Sequence, residues 1–257
     1  MEPPFDSVHE TWRSQLGSGP VEVADSRAVA LARAAAVDAA GFAALGDALS
    51  RQLRYLEATE AYGRSLELEP GNMHVYRRRC GRLLSTLRLN EARHGLLCCL
   101  VAGWDELDVR YRLGLCGYMS GVYGRAMEQF ELCMPLGSDE MGIAAIYWHT
   151  LCALRSGAEP GLLAAYHIGM DVGHHTAYEK AVRVISGEES LPDALAALGA
   201  EPDDLEYGIT AYGLSVLLQS RGEAEESRRL AGSVLRRDSF WPGYAFLAAY
   251  SDKYGSR

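Results

Sequence analysis

The sequence predicts an all-α protein in which about 14 helices stack as antiparallel pairs, an architecture called an α-solenoid. Proline is scarce, with 9 residues in 257, and apolar residues make up 48% of the chain, which together favour packed helices. Large apolar residues recur three and four positions apart, the spacing of one face of a helix. The sequence also repeats with a period of 34 residues, which indicates one helical unit copied along the chain.

The repeat places residues of matching size in the same column. One column holds only alanine, at Ala58, Ala92 and Ala126. A second holds large side chains, at Tyr62, Leu96 and Phe130, and a third holds small residues, at Gly46, Cys80 and Gly114. The small residues allow two antiparallel helices to approach closely, and the large ones fill the space between them. Pro70 and Gly71 end the second helix of the first unit, because proline cannot continue a helix. One such unit cannot bury both of its faces, so the units must stack.

These columns resemble the tetratricopeptide repeat, a unit of two helices. In the first unit its signature positions hold Phe42, Leu45, Gly46, Leu49, Tyr55, Ala58, Tyr62, Ser65 and Pro70. In the third unit they hold Leu113, Gly114, Gly121, Tyr123, Ala126, Phe130 and Cys133. The second unit departs from the pattern at Trp104, which stands where the family has its helix-ending proline. The resemblance implies a right-handed superhelix in which the first helix of each unit lines a concave surface.

Helix signals continue outside the regular repeats. We expect a flexible N-terminus over residues 1–20 and a single repeat domain over 21–257, which opens with a helix over 25–37 capped by Asp25 or Ser26. Regular repeats cover about 39–140, and irregular helices follow over 141–206, with a shortened helix at 162–169. A further repeat and a closing helix that begins at Pro242 cover 207–254.

Composition also limits the classes of protein to which this chain can belong. The formal net charge of −9 argues against a nucleic-acid binder, and no apolar run reaches the roughly 18 to 20 residues that span a bilayer. The chain begins without the basic and apolar segments of a secretory signal. Six cysteines include no CxxC pair, so we expect reduced, buried thiols and a cytoplasmic protein.

The sequence contains no motif of a catalytic site, a metal site or a cofactor site. A glycine-rich run over 114–124 lacks the lysine of a phosphate-binding loop, and its glycines suit helix packing and a turn. His174, His175 and Glu179 lie close together, but spacing supplies no third metal ligand. We therefore expect no enzyme, cofactor or metal. A small-ligand, metal-binding or enzymatic site within 141–206, including His149, is the alternative.

Charge is distributed unevenly along the chain. Arg77, Arg78, Arg79 and Arg82 cluster in the second unit, whereas residues 184–220 carry seven acidic side chains and no basic one. We expect a non-catalytic adaptor that holds a protein or peptide partner. The arginines favour an acidic partner, since arginine pairs well with carboxylates. Self-assembly through the acidic stretch and the Arg77–Arg82 cluster is the second hypothesis.

The resemblance implies which side chains line the concave surface. The predicted partner-binding residues are Arg77, Arg78, Tyr111, Arg112, Tyr118 and His149, with Tyr212 and Gln219 at equivalent positions of the later repeat. Tyr111 and Tyr118 have the alternative of packing against the next helix. Of the positions that hold chaperone tails in this family, only Arg112 matches, which disfavours that role.

Overall fold

The computed structural model describes residues 11–17, 19 and 23–255. These residues form 14 α-helices and no strand, which confirms the predicted all-α class. Of the predicted flexible N-terminus, residues 1–10, 18 and 20 lie outside the described residues, and 11–15 form a short helix, α1. The amide of Leu56 donates a hydrogen bond to Gln15 Oε1, so this helix is tied to the rest of the chain.

The chain divides into two compact units, Met1–Asp105 and Glu106–Arg257, here called unit 1 and unit 2. Unit 1 contains α1 and then α2 (Arg27–Ala35), α3 (Ala39–Arg51), α4 (Tyr55–Leu68), α5 (Met73–Ser85) and α6 (Leu89–Val101). Unit 2 contains α7 (Leu107–Met119), α8 (Tyr123–Cys133), α9 (Asp139–Ser156), α10 (Thr176–Ser186), α11 (Leu191–Leu198), α12 (Asp204–Ser220), α13 (Ala224–Val234) and α14 (Tyr244–Tyr254). Two short 3₁₀ helices, η1 (Met134–Leu136) and η2 (Gly161–Ala165), flank α9.

The 34-residue period is present in the positions of the helices. The first helices of three successive pairs, α3, α5 and α7, begin at Ala39, Met73 and Leu107 and have 13 residues each. Their partners α4, α6 and α8 begin 34 residues apart as well. Consecutive helices pack against each other within each unit, as in a helical repeat.

Each of these pairs is joined by the same turn. One residue of the turn adopts left-handed backbone angles, at Leu53 (φ 59°), Leu87 (φ 57°) and Gly121 (φ 72°). The next amide donates back across the end of the first helix, from Arg54 to Leu49, from Arg88 to Leu83 and from Val122 to Gly117, over 2.8–3.0 Å. This hydrogen bond is that of a Schellman motif, which satisfies a carbonyl at the helix end and reverses the chain.

A small residue of the first helix lies against an aromatic ring of the second. A Cβ atom added at Gly46 would lie 2.4 Å from the Tyr62 ring, and one added at Gly114 would lie 2.5 Å from the Phe130 ring. Tyr62 and Phe130 are both buried. The glycines therefore set how closely the two helices approach.

Beyond the regular pairs, two long helices form the centre of unit 2. Residues 142–153 of α9 and 208–218 of α12 are buried on all sides, as in a core helix. The predicted helix at 162–169 is wrong: only the 3₁₀ helix η2 forms there. The closing helix α14 begins at Tyr244, two residues after Pro242. No helix in the described part of the chain has the length and apolarity needed to cross a bilayer.

Helix caps follow the expected chemistry in two places. Ser26, rather than Asp25, caps α2, because its Oγ accepts a hydrogen bond from the amide of Val29. Ser190 caps α11 in the same way, through the amide of Asp193. Each cap satisfies a backbone donor that the helix itself leaves unpaired.

We predict that Gly46→Ala lowers the free energy of unfolding by about 1–3 kcal/mol, because its methyl group would overlap the Tyr62 ring. Gly63→Ala is the matched control, since it lies within α4 and its nearest new contact is an ordinary 3.8 Å to the Arg79 side chain. That variant gains helix propensity and should be stabilised by up to about 1 kcal/mol. Urea unfolding measures both, and equal effects would contradict the role of the Gly46–Tyr62 contact.

We predict that Gly121→Ala lowers the free energy of unfolding by about 1–2 kcal/mol. A Cβ atom there meets no neighbour, so the cost is that of left-handed backbone angles alone. Gly124→Ala in α8 is the control, since its Cβ also meets open space and its backbone is helical. It should leave stability unchanged or raise it slightly. Thermal unfolding of the two variants distinguishes these outcomes.

Candidate functional site

The predicted partner-binding residues fall in both units. Arg77 and Arg78 lie on α5 of unit 1, whereas Tyr111, Arg112 and Tyr118 on α7 and His149 on α9 belong to unit 2.

The arginines of α5 contact other residues of unit 1. Arg78 Nη1 lies 2.6 Å from Asp47 Oδ2, and its guanidinium carbon lies 5.7 Å from the centre of the Tyr62 ring. The Arg77 guanidinium lies 5.4 Å from the centre of the Trp104 ring. Salt bridges and cation–π contacts of this kind hold α5 against its neighbours. The partner-binding role of Arg77 and Arg78 stays a prediction.

The remaining arginines of this cluster have similar contacts. Arg79 Nε donates a hydrogen bond of 3.2 Å to the backbone oxygen of Thr59, and the Arg82 guanidinium lies 4.3 Å from the centre of the Tyr55 ring. Both partners belong to α4. Arg79 and Arg82 thus hold α5 against α4. A second molecule that bound these arginines would compete with the contacts to α4.

The aromatic residues predicted for the concave surface lie in the core of unit 2. Tyr111 is 7% exposed and Tyr118 is 2% exposed, and burial raises the pKa of both hydroxyls. The hydroxyls of Tyr118 and Tyr212 lie 2.8 Å apart, and the ring of Tyr118 packs on Trp148. The alternative that Tyr111 and Tyr118 serve packing therefore agrees with their positions.

His149 and Arg112 also have partners within unit 2. His149 is fully buried, its Nε2 lies 3.2 Å from Glu131 Oε1, and burial lowers its pKa. Arg112 Nη1 forms a 3.0 Å salt bridge with Asp108 on the same helix. Of the four predicted partner-binding residues on α7 and α9, Arg112 is half-buried and the other three are buried.

A cleft of about 380 Å³ in unit 2 brings together residues of α9, α12, α13 and α14. Small side chains, among them Ala231, Gly232 and Ala249, form part of its wall. Its charged residues are Arg155, Arg228, Lys253 and Asp252, so that three cations face one carboxylate. The cleft is therefore suited to an anionic group.

Arg155 is the most buried charge in this cleft, with 12% of its side chain exposed. Its Nη2 lies 2.5 Å from Asp252 Oδ2, and its Nη1 donates to Gln219 Oε1 over 2.6 Å. Asp252 also accepts a 2.9 Å hydrogen bond from the Tyr212 hydroxyl. Arg155 Nε is buried and has no hydrogen-bond partner. These contacts hold the guanidinium in place and leave one donor unused.

Sequence reasoning did not identify this cleft. Arg155 comes from α9, far along the chain from Arg228 and Lys253 on the consecutive helices α13 and α14, and no local motif connects the three. Gln219, which lines the cleft, and Tyr212, which bonds to Asp252, are the two nearby residues that the repeat register places on the concave surface. The sequence cannot identify the other residues of the cleft, because they are brought there by the packing of α9 and α14 against α12.

A second cluster of polar side chains involves the histidines of 141–206. One ligand atom each from Glu140, His174 and His175 lies within 4.8 Å of the other two. Glu140 belongs to the first turn of α9, and the histidines precede α10. Glu179, which spacing placed near His175, accepts a hydrogen bond from the Tyr166 hydroxyl instead.

Comparison of the chain with protein-family models and with curated proteins finds no match. Two serine hydroxyls line the cleft, and both donate to backbone oxygens: Ser215 to Tyr212 and Ser227 to Ser215, each over 2.7 Å. Hydroxyls that donate to carbonyls lack the adjacent base that activates a nucleophile.

We predict that Tyr212→Phe lowers the free energy of unfolding by about 1–3 kcal/mol. The change removes a fully buried hydroxyl that bonds to both Tyr118 and Asp252. Tyr254→Phe, at a residue 58% exposed, is the control and should change stability by less than about 0.5 kcal/mol. Urea unfolding followed by circular dichroism checks the difference.

Proposed function

We propose that the chain is a non-catalytic protein-binding module of tetratricopeptide-repeat type that holds an acidic segment of a partner protein in the cleft of unit 2. The observation that carries the proposal is the excess of positive charge in the cleft, where Arg155, Arg228 and Lys253 stand against the single carboxylate of Asp252. Asp252 pairs with Arg155 and offsets only one of these three positive charges. A carboxylate of a partner can pair with the exposed Arg228 and Lys253 and reduce the excess charge.

The size of the cleft supports a side chain or short segment as the occupant. Its volume of about 380 Å³ lies at the lower end of the range for ligand sites, which begins near about 300 Å³. Small residues in the wall leave room for an aliphatic stem, and the cations lie around them. An aspartate or glutamate of an extended peptide combines these two requirements.

The repeat-type assignment is supported by the 34-residue spacing of the helices and by the recurrence of the Gly46–Tyr62 contact at Gly114–Phe130. Both features match positions of the family pattern. In that family the surface formed by the first helices binds proteins, and this part of the proposal rests on analogy of fold. Arg77, Arg78 and Arg112 remain candidates for additional contacts with the partner.

A cytoplasmic location forms part of the proposal. None of the six cysteines, all of which lie in the described part of the chain, forms a disulfide, and five of them are buried as small apolar side chains. Free thiols are the usual state in a reducing compartment, whereas secreted proteins favour disulfides.

Self-assembly through the acidic stretch 184–220 has less support. Asp204 forms a 2.7 Å ion pair with Arg237, and Glu201 and Glu206 lie 3.2 Å and 3.9 Å from Lys180. These acidic groups are already paired within unit 2. The stretch therefore offers a second copy less uncompensated charge than its sequence suggests.

The test uses synthetic peptides that differ in their content of Asp and Glu, each matched with its Asn and Gln counterpart. We expect the acidic peptides to bind and the amide versions to bind at least about tenfold more weakly, a difference of about 1.4 kcal/mol. Arg228→Glu with Lys253→Glu should remove this preference, because both side chains line the cleft. Fluorescence anisotropy at low and high salt measures the affinities.

Arg229→Glu with Lys180→Glu is the matched control. Both residues are exposed cations of unit 2, but they pair with Glu226 and Glu201 and are not among the residues of the cleft. The control should retain acidic-peptide binding. Equal loss in both double variants would show that only net charge matters and would contradict a specific site in the cleft.

A further inference from the structure

The cluster of Glu140, His174 and His175 is separate from the cleft. Glu140 lies in the first turn of α9 and Arg155 in its last turn, which places them roughly 22 Å apart along the helix at 1.5 Å per residue. Glu140 Oε1 lies 2.5 Å from His174 Nδ1 and 3.8 Å from His175 Nδ1. Three potential ligand atoms thus meet at one point on the surface of unit 2.

The backbone before the histidines is shaped to approach Glu140. Gly173 has a φ of 51°, and a Cβ atom added there would lie 2.4 Å from Glu140 Oε1. The amide of His174 lies 3.5 Å from the same oxygen. Only glycine allows the loop this close to the carboxylate, since any side chain would push Glu140 away. The contact between loop and helix is therefore built into the sequence at Gly173.

His175 supplies a second, independent observation. Its Nδ1 is buried and has no hydrogen-bond partner, although 18% of the side chain is exposed. A neutral imidazole nitrogen is a metal ligand. An unpaired buried polar atom carries an energetic cost that a bound ion would remove.

We propose that Glu140, His174 and His175 bind a divalent transition-metal ion, with Zn²⁺ as the best fit. Two imidazoles and one carboxylate suit zinc, whereas Mg²⁺ and Ca²⁺ prefer oxygen ligands throughout. Three protein ligands leave a position for water or for a group of another molecule. Spacing in the sequence identifies only the two histidines, because Glu140 comes from a different helix.

The distances set what binding requires. Ligand atoms of a tetrahedral zinc ion, each about 2.0–2.1 Å from the metal, lie roughly 3.3 Å apart. The 3.8 Å between His175 Nδ1 and Glu140 Oε1 is close to this value. The 2.5 Å between His174 Nδ1 and the same oxygen must increase by roughly 1 Å. The His174 side chain is 82% exposed and can move. Its hydrogen bond to Glu140 is then exchanged for bonds to the ion.

The test is calorimetric titration of untagged protein with Zn²⁺. We expect one ion per chain, with no competition from Mg²⁺ at equal concentration. His174→Ala and Glu140→Gln should each weaken binding at least about 10- to 100-fold, the loss caused even by removing an outer-shell partner. The exposed positions of both groups make these variants safe for folding, and His175→Ala adds a third ligand change.

His167→Ala is the matched control, because this exposed histidine lies in the same loop and is not a member of the cluster. Its affinity should equal that of the unmodified chain. Cys98→Ser is the second control, since Cys98 Sγ and His94 Nε2 lie 3.9 Å apart on α6 and form another possible zinc-binding pair. This variant should also bind zinc normally.

A second readout is thermal stability. Zn²⁺ in excess over its Kd should raise the Tm by roughly 5 °C, because the ion binds the folded chain and ties the loop to α9. The rise should disappear in His174→Ala and persist in His167→Ala. The proposal would be overturned if the chain bound no zinc, or if zinc binding persisted in His174→Ala and Glu140→Gln. Loss of zinc binding in Cys98→Ser would overturn it as well.

Discussion

Close approach of paired helices is the contact on which the rest of the structure depends. In each case a small residue on one helix meets a ring or a thiol on its neighbour, with no room for a further carbon atom. The contacts are Gly46 with Tyr62, Gly95 with Cys80, Gly114 with Phe130 and, outside the period, Gly213 with Tyr147. Because helix packing has little free volume, these contacts determine both the spacing of the helices and which side chains are buried.

The central helix of unit 2 links the two candidate sites. α9 is buried along most of its length and therefore forms a rigid rod, with Glu140 at its start and Arg155 at its end. The buried tyrosines beside it explain why this helix tolerates a charged residue near the core. Tyr212 and Asp252 give the Arg155 guanidinium polar partners, which reduce the cost of removing it from water.

The arginines of this chain fall into two classes that their sequence does not distinguish. Those of α5 find a carboxylate, a carbonyl or an aromatic ring within unit 1, so their charge serves helix packing. Arg228, by contrast, is exposed in a cleft where cations outnumber carboxylates, and in the proposed function its charge is available to a partner. Whether an arginine is paired depends on the neighbours that tertiary packing brings to it, and the distribution of charge along the sequence does not show this.

Length, composition and the 34-residue period by themselves determine the all-α class and the regular spacing of the six helices α3 to α8, because helix pairs depend on the local spacing of small and large residues. The period fails after α8, and there the 3₁₀ helix at 161–165 and the site geometry follow from packing instead. The tyrosines predicted for a concave surface are buried, since residues of α9, α12 and α14 cover them. Only tertiary structure could bring Arg155 to Lys253, or Glu140 to His174, because such contacts join helices far apart in the chain.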